Sequence, residues 1–242
     1  MLEKDLKDSI VSDKLSELAA DAAELGLDSL LADGVVKDIP VIGSLYKLAK
    51  VAMGIRENIF AKKVLKFLIE LKGIPGEERK KFIAGLDSDT HKIHKVGEKI
   101  IVILERLDDI DKATIVGRLL RAAIKEYIPY EHFLKLSSIV DKAFFTDLQQ
   151  LKGQSTDNWG IREIYYALGK DSYQHFYNIG IMTMSIKDDE SRKGMMQRVS
   201  LGAPPKEIGF VPKVEYEFSN LGKELIRFGM NEGHEPSDLD RY

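Results

Sequence analysis

Ser44 and Lys47 stand in the spacing S-x-x-K, in which a lysine one helical turn away can activate a serine as an acyl-transfer nucleophile. The accompanying S-D-N and K-T-G elements of that chemistry are absent from the chain. A second cluster holds His91 and His94 with Asp87, Asp89 and Glu98. His94 and Glu98 are four apart, so a helix would place them on one face as a metal pair. No second half-site accompanies them, and Asp87 or Asp89 serves equally well as a helix cap. Asp108, Asp109 and Asp111 beside Lys112 read as caps and a solvated corner between helices. His132, in Tyr130-Glu131-His132-Phe133, and His175, between Gln174 and Phe176, read as packing or surface residues. So does Trp159, the one tryptophan. The phosphate-cradling patterns GxxxxGK[ST] and GxGxxG do not occur. With no cysteine, thiol nucleophiles, disulfides and thiolate metal sites are ruled out. The expectation is a non-enzymatic chain that uses no cofactor and no metal.

The elements that would carry these residues are mostly helices. At 242 residues the chain can bury a substantial core, and 44% hydrophobic with 31% charged residues is an ordinary globular balance. Basic and acidic residues cancel over 1–136, so the whole net charge of −3 falls in 137–242. Neither part has the basic excess of a nucleic-acid-binding protein. The first ten residues, MLEKDLKDSI, lack the apolar core of a signal peptide. No run of 18 uncharged apolar residues occurs, since Lys47 and Lys50 interrupt the best one. The expected location is the cytoplasm.

The stretch Asp38–Leu71 reads as one helix with almost no polar face. Asp38 is its expected N-cap, Pro40 lies in its first turn, and Gly73-Ile74-Pro75-Gly76 stops it. Gly43, Lys47, Lys50, Gly54 and Glu57 step by four, three, four and three, which stacks them into one narrow stripe. Such a cylinder needs apolar partners on most sides. As a core helix it would be walled by helices near Ile100, Leu119 and Phe133, with Lys47 and Lys50 reaching water along a groove. A sharper alternative is conditional exposure to a partner or a membrane, with Lys47, Lys50, Gly43 and Gly54 as the contact stripe. Basic residues outnumber Asp38, Glu57 and Glu70 by eight to three between Lys37 and Lys72, which suits an interfacial segment.

Helical spacing also marks 1–33, ending near Gly34, then Glu77–Gly85, Asp87–Leu107, Asp111–Tyr127 and Tyr130–Leu151. Beyond about Ser137 the pattern changes. Short helices at Ile161–Leu168 and Asp171–Ile179 precede an alternating strand, Ile181–Ile186. A long loop then leads to a second strand, Val214–Phe218, and a closing helix, Leu221–Phe228. The segments Asn178–Ile186 (NIGIMTMSI) and Tyr216–Phe228 (YEFSNLGKELIRF) in this order resemble the winged-helix fold. The whole layout, a helical body with such a tail, resembles small bacterial abortive-infection and phage-defence proteins.

The expected architecture is therefore mainly α: a helical bundle over 1–136, a winged-helix-like domain over 137–228, and a mobile acidic tail over 229–242. The resemblance implies a DNA-reading alternative, with Gln174 and Asn178 on the third helix and Arg192, Lys193 and Arg198 on the wing. Asp171 and Glu163, and Asp188, Asp189, Glu190 and Glu207 in the wing, weaken that alternative, because phosphate neutralisation dominates such binding. The reading that remains is a regulatory or effector component that binds protein, in a bacterial phage-defence or stress system. Its partner would be another protein or a second copy, with a DNA-binding regulator and a membrane-active effector as alternatives.

Overall fold

The computed structural model describes residues 1–48, 54–88, 96–154, 172–187 and 213–231. Helices run from α1 (Leu2–Ile10) through α2 (Leu15–Leu25), α3 (Leu27–Asp33), α4 (Pro40–Leu48) and α5 (Ile55–Ile69). They continue as α6 (Gly76–Ser88), α7 (Val96–Arg106), α8 (Lys112–Ile124), α9 (Tyr130–Lys142) and α10 (Phe145–Gln150). A further helix, α11, covers 172–178. Strands β1 (Met182–Lys187) and β2 (Lys213–Phe218) pair antiparallel, from Met182 opposite Phe218 to Lys187 opposite Lys213. Helix α12 (Asn220–Glu224) widens into a π-helical turn at Leu225–Met230. The mainly helical character and the strand pair agree with the sequence reading.

Asp38–Leu71 is not one helix. Gly54 is extended at φ −68° and ψ 174°, and its carbonyl accepts from the Asn58 N–H (3.0 Å), which starts α5 afresh. Glu57 sits three residues on, with its carboxylate folded back so that a Cβ on Gly54 would fall 2.5 Å from it. A carboxylate at this position favours the positive end of a helix. The four-three stripe therefore has no continuous cylinder to run along. At the other end Pro40 opens α4, but Asp38 is not the cap. Ser9 of α1 takes that part: its buried hydroxyl accepts from the Val41 N–H (3.0 Å) and donates to the Asp5 carbonyl (2.7 Å). Ser44 donates to the Asp5 carboxylate (2.7 Å), so two residues of α1 hold α4 by its first turns.

The helix enclosed on nearly all sides is α8. Ala113, Ile115, Val116, Leu119, Leu120, Ala122, Ala123 and Ile124 are all buried. Two of its charged residues are paired inside the fold. Buried Lys112 donates to Asp108 (2.5 Å) and to the Asp141 carbonyl (3.3 Å). Arg118 reaches Glu70 of α5 (3.2 Å) and the Met230 carbonyl (3.5 Å). Gly117 lets α5 approach: a Cβ there would lie 2.7 Å from the Phe67 carbonyl oxygen. One cluster of buried side chains extends from Leu6 to Met230, and the 136/137 boundary falls inside α9. Extended Ala143 and Phe144 split the expected Tyr130–Leu151 helix into α9 and α10. Asp87 lies in α6, while described α7 begins at Val96.

The corner before α8 is tied down by ions. Lys63, buried on α5, donates to the Leu107 carbonyl, Lys66 pairs with Asp111, and Arg106 pairs with Asp141 (2.8 Å). Asp109 accepts from the Asp111 N–H (2.7 Å), which shapes the turn. Burial pushes the Lys63 ammonium below its ordinary value, against the charges of Asp108, Glu105 and Asp109. Burial also pushes the Asp108 carboxyl upward. The Lys112 hydrogen bond and charge, with backbone N–H groups, outweigh that and leave it below the ordinary range.

Three variants check this packing. Gly117→Ala is expected to lower the denaturant midpoint by about 1–3 kcal/mol of stability. Gly85→Ala, at a helical position with nothing within 4 Å of the new carbon, is expected to add roughly 0.5–1 kcal/mol. Asp108 has a folded pKa below its unfolded one, so its stabilisation is complete above about 3.9 and fades as pH falls through the lower folded value. Urea titrations below about pH 4 are expected to show a smaller acid-induced loss in Asp108→Asn than in the parent. The difference is at most about 1 kcal/mol, because 68% of that side chain is exposed.

Candidate partner-binding groove

Helices α1, α4, α5 and α7 leave an open groove of about 640 Å³ between them. Leu2, Leu45, Ile55, Ile59, Phe60 and Ile101 form its apolar walls, and Arg56, Glu57, Lys63 and Glu105 contribute polar groups. The unusual feature is at the start of α5. Ile55 is 84% exposed and Ile59 is 39% exposed, while from Ala61 onward the same helix sinks into the core. Leu48, at the end of α4, is 62% exposed. Scattered apolar side chains on a surface mean little, but Ile55 and Ile59 together in the wall of one groove are a contact signature. Arg56 bonds Glu105 across the groove (3.1 Å), joining α5 to α7 at the exposed edge.

The stripe residues separate in space. Lys47 is exposed on α4. Gly43 is half-buried against the 3₁₀ turn Val35–Asp38, where a Cβ would meet the Lys37 carbonyl oxygen at 2.5 Å. Gly54 is exposed beside the groove as the residue preceding α5. Lys50 lies outside the described residues, as do Arg192, Lys193 and Arg198. Gln174 and Asn178 are exposed on α11, and the Gln174 amide donates to the Asn178 side-chain oxygen (3.2 Å). On the sheet side of α11, Tyr173 and Tyr177 set their rings edge-on to Tyr216 of β2, with centroids 4.9 and 6.3 Å apart. Ser219 caps α12, accepting from the Gly222 N–H (2.9 Å) and donating to the Gly180 carbonyl (2.6 Å).

The S-x-x-K pair is not assembled for nucleophilic chemistry. Ser44 is buried with its hydroxyl donating a hydrogen bond to Asp5, and Lys47 is exposed. His91, His94, Asp89 and Trp159 lie outside the described residues. Among the described residues, no group of three or more potential ligands could hold a metal ion. His175 donates through Nε2 to the Lys142 carbonyl (3.1 Å) and lies on Phe144, which fits the packing role expected for it. His132 does more than pack. Its Nδ1 lies 3.0 and 2.9 Å from the two oxygens of buried Glu224, linking α9 to α12. Beside that pair a second cleft of about 620 Å³ opens at the α8–α9 turn.

That turn contains Glu126 at φ 58°, the only described non-glycine residue with positive φ. The Tyr127 N–H reaches the Ala122 carbonyl (2.9 Å) and the Glu126 N–H the Ala123 carbonyl (3.1 Å), the paired bonds of a Schellman ending. After α11 the same pair of bonds forms around Gly180, at φ 89°. The chain thus uses glycine at one such ending and glutamate at the other. Neither the groove nor this cleft was legible as a motif. Gly54 followed at the third residue by Glu57 was the available signal for the new helix start.

Compared with known proteins, the chain matches no family model, no curated protein and no solved structure. Among the described residues, no helix is long and apolar enough to cross a membrane.

Glu126→Gly relieves the left-handed strain and is expected to raise stability by roughly 0.5–1 kcal/mol, read from urea denaturation at neutral pH. An unchanged or lower midpoint would mean that the glutamate side chain contributes contacts exceeding the strain.

Proposed function

We propose that this chain is a non-enzymatic, protein-binding regulatory or effector component, and that its binding face is the groove between α1, α4, α5 and α7. The observation that carries this reading is the exposure of Ile55 and Ile59 in the wall of an apolar groove. An apolar groove between helices with a charged edge suits an amphipathic helix of a partner, whose apolar face would enter at i, i+3 or i+4 spacing. Arg56 and Glu105 would then exchange their mutual bond for contacts at the rim, while Ile55 and Ile59 supply the buried centre. The winged-helix-like tail, supported by the β1–β2 pair and the capped α12, serves in this proposal as a docking or regulatory module. In this proposal the partner belongs to a bacterial phage-defence or stress system, an assignment supported by the resemblance of the layout alone.

The test compares the parent with Ile55→Asp and Ile59→Asp, both at exposed positions, and with the double variant Gln174→Ala/Asn178→Ala. In quantitative affinity capture, a specific partner is expected to lose at least about tenfold recovery with each groove variant, equivalent to ~1.4 kcal/mol. The α11 variant is expected to retain it. Equal recovery in all variants would remove the groove from the binding face. A duplex retarded at low salt by the parent and released by the α11 variant would favour the DNA reading. Vesicle leakage abolished by Ile55→Asp would favour membrane action.

A further inference from the structure

The second cleft has a lining whose chemistry points to a ligand of one charge. Phe82 of α6 and Tyr127 and Tyr130 at the α8–α9 turn provide aromatic surface, with Phe82 and Tyr130 edge-to-face at 6.2 Å. Glu126 lines the same space and is exposed. Glu224 is 7% exposed at its side chain and is held by His132. No lysine or arginine among the described residues lines the cleft. Its neighbour Lys125 is engaged by Glu78 (3.2 Å), which neutralises the nearest described cation on that turn.

At about 620 Å³ the space has the size of small-ligand sites, which combine apolar walls with a few convergent polar groups. Glycine would adopt φ 58° without steric penalty, yet a carboxylate-bearing residue occupies the position. The left-handed turn is also what places this residue in the wall of the cleft.

We propose that this cleft binds a small organic cation, an ammonium or guanidinium joined to an apolar body. The head sits between Glu126 and the His132–Glu224 pair, and the body lies against Phe82, Tyr127 and Tyr130. Carboxylates attract the charge, and ring faces add cation–π attraction that a neutral or anionic isostere does not receive. Because the pair joins α9 to α12, occupancy would also tighten the C-terminal segment on the body. The site is separate from the groove, so either can fail without the other.

The experiment is an amide ¹H–¹⁵N titration of the full chain with phenethylamine, 2-phenylethanol and phenylacetate. N-acetyl-lysine-methylamide forms an arm for a cation carried on a peptide. Phenethylamine or the lysine derivative is expected to give saturable shifts at Glu126, Tyr127, Tyr130 and Glu224. Its affinity is expected to exceed that of the alcohol by at least about fivefold. Which of the two binds more tightly assigns the source of the cation. Glu126→Gln, at an exposed position, is expected to remove most of that preference. Absence of saturable shifts at these amides would overturn the proposal, as would binding of the alcohol or phenylacetate as tightly as both cations.

Discussion

The close approach of α8 to α5 at Gly117 and Phe67 is the constraint on which the remaining structure rests. With no side chain at 117, the two helices meet backbone to backbone, and α8 then buries residues around almost its whole circumference. Close-packed interiors tolerate such contact only where shapes match, so the position of α8 fixes those of α5, α9 and the C-terminal π turn. Three cations are admitted beside α8 because each has a partner. Lys112 finds Asp108, Arg118 finds Glu70 and the Met230 carbonyl, and Lys63 finds the Leu107 carbonyl. An unpaired charge at any of these places would be expensive, and replacing one partner alone leaves the other exposed to that penalty.

Fixing α5 at its C-terminal half leaves its first turn outside. From Ala61 onward α5 belongs to the core, whereas Ile55 faces solvent. The same helix therefore serves as scaffold at one end and as surface at the other. The α8–α9 turn shows a comparable division: α8 is enclosed up to Ile124, and two residues later Glu126 takes a left-handed conformation in the wall of a cleft. Both surface features are consequences of where a buried helix stops.

Much of the secondary structure was legible because it depends on neighbours in sequence. Gly34 ends α3 in the left-handed region, Pro40 opens α4, and the breaker at 73–76 separates α5 from α6. The alternation read in Ile181–Ile186 and Val214–Phe218 became a strand pair shifted by one residue at three of its four ends, and Ser219 and Gly222 in the SNLG segment have a physical purpose as cap and close contact. The misses are long-range. Lysine and arginine on α8 look like a solvated face unless Asp108, Glu70 and Met230 are known to meet them. Asp5 and Ser44, 39 positions apart, cannot be joined by periodicity, and Ser9 caps a helix that begins 31 residues later. The single helix over 38–71 was favoured by apolar content, which registers burial but not the break at Gly54. No local signal announced that Glu126 would stand where glycine usually does.

Amide hydrogen exchange on the isolated chain measures the division of α5 directly, since local opening free energies range from near zero in unpartnered turns to the global value in a core. The account predicts the slowest exchange in 115–124 and 64–69, and fast exchange at the amides of 58–60, one or two turns earlier on the same helix. Protection of 58–60 equal to that of α8 would contradict it, because the start of α5 would then already be covered and its apolar face would have no partner to await.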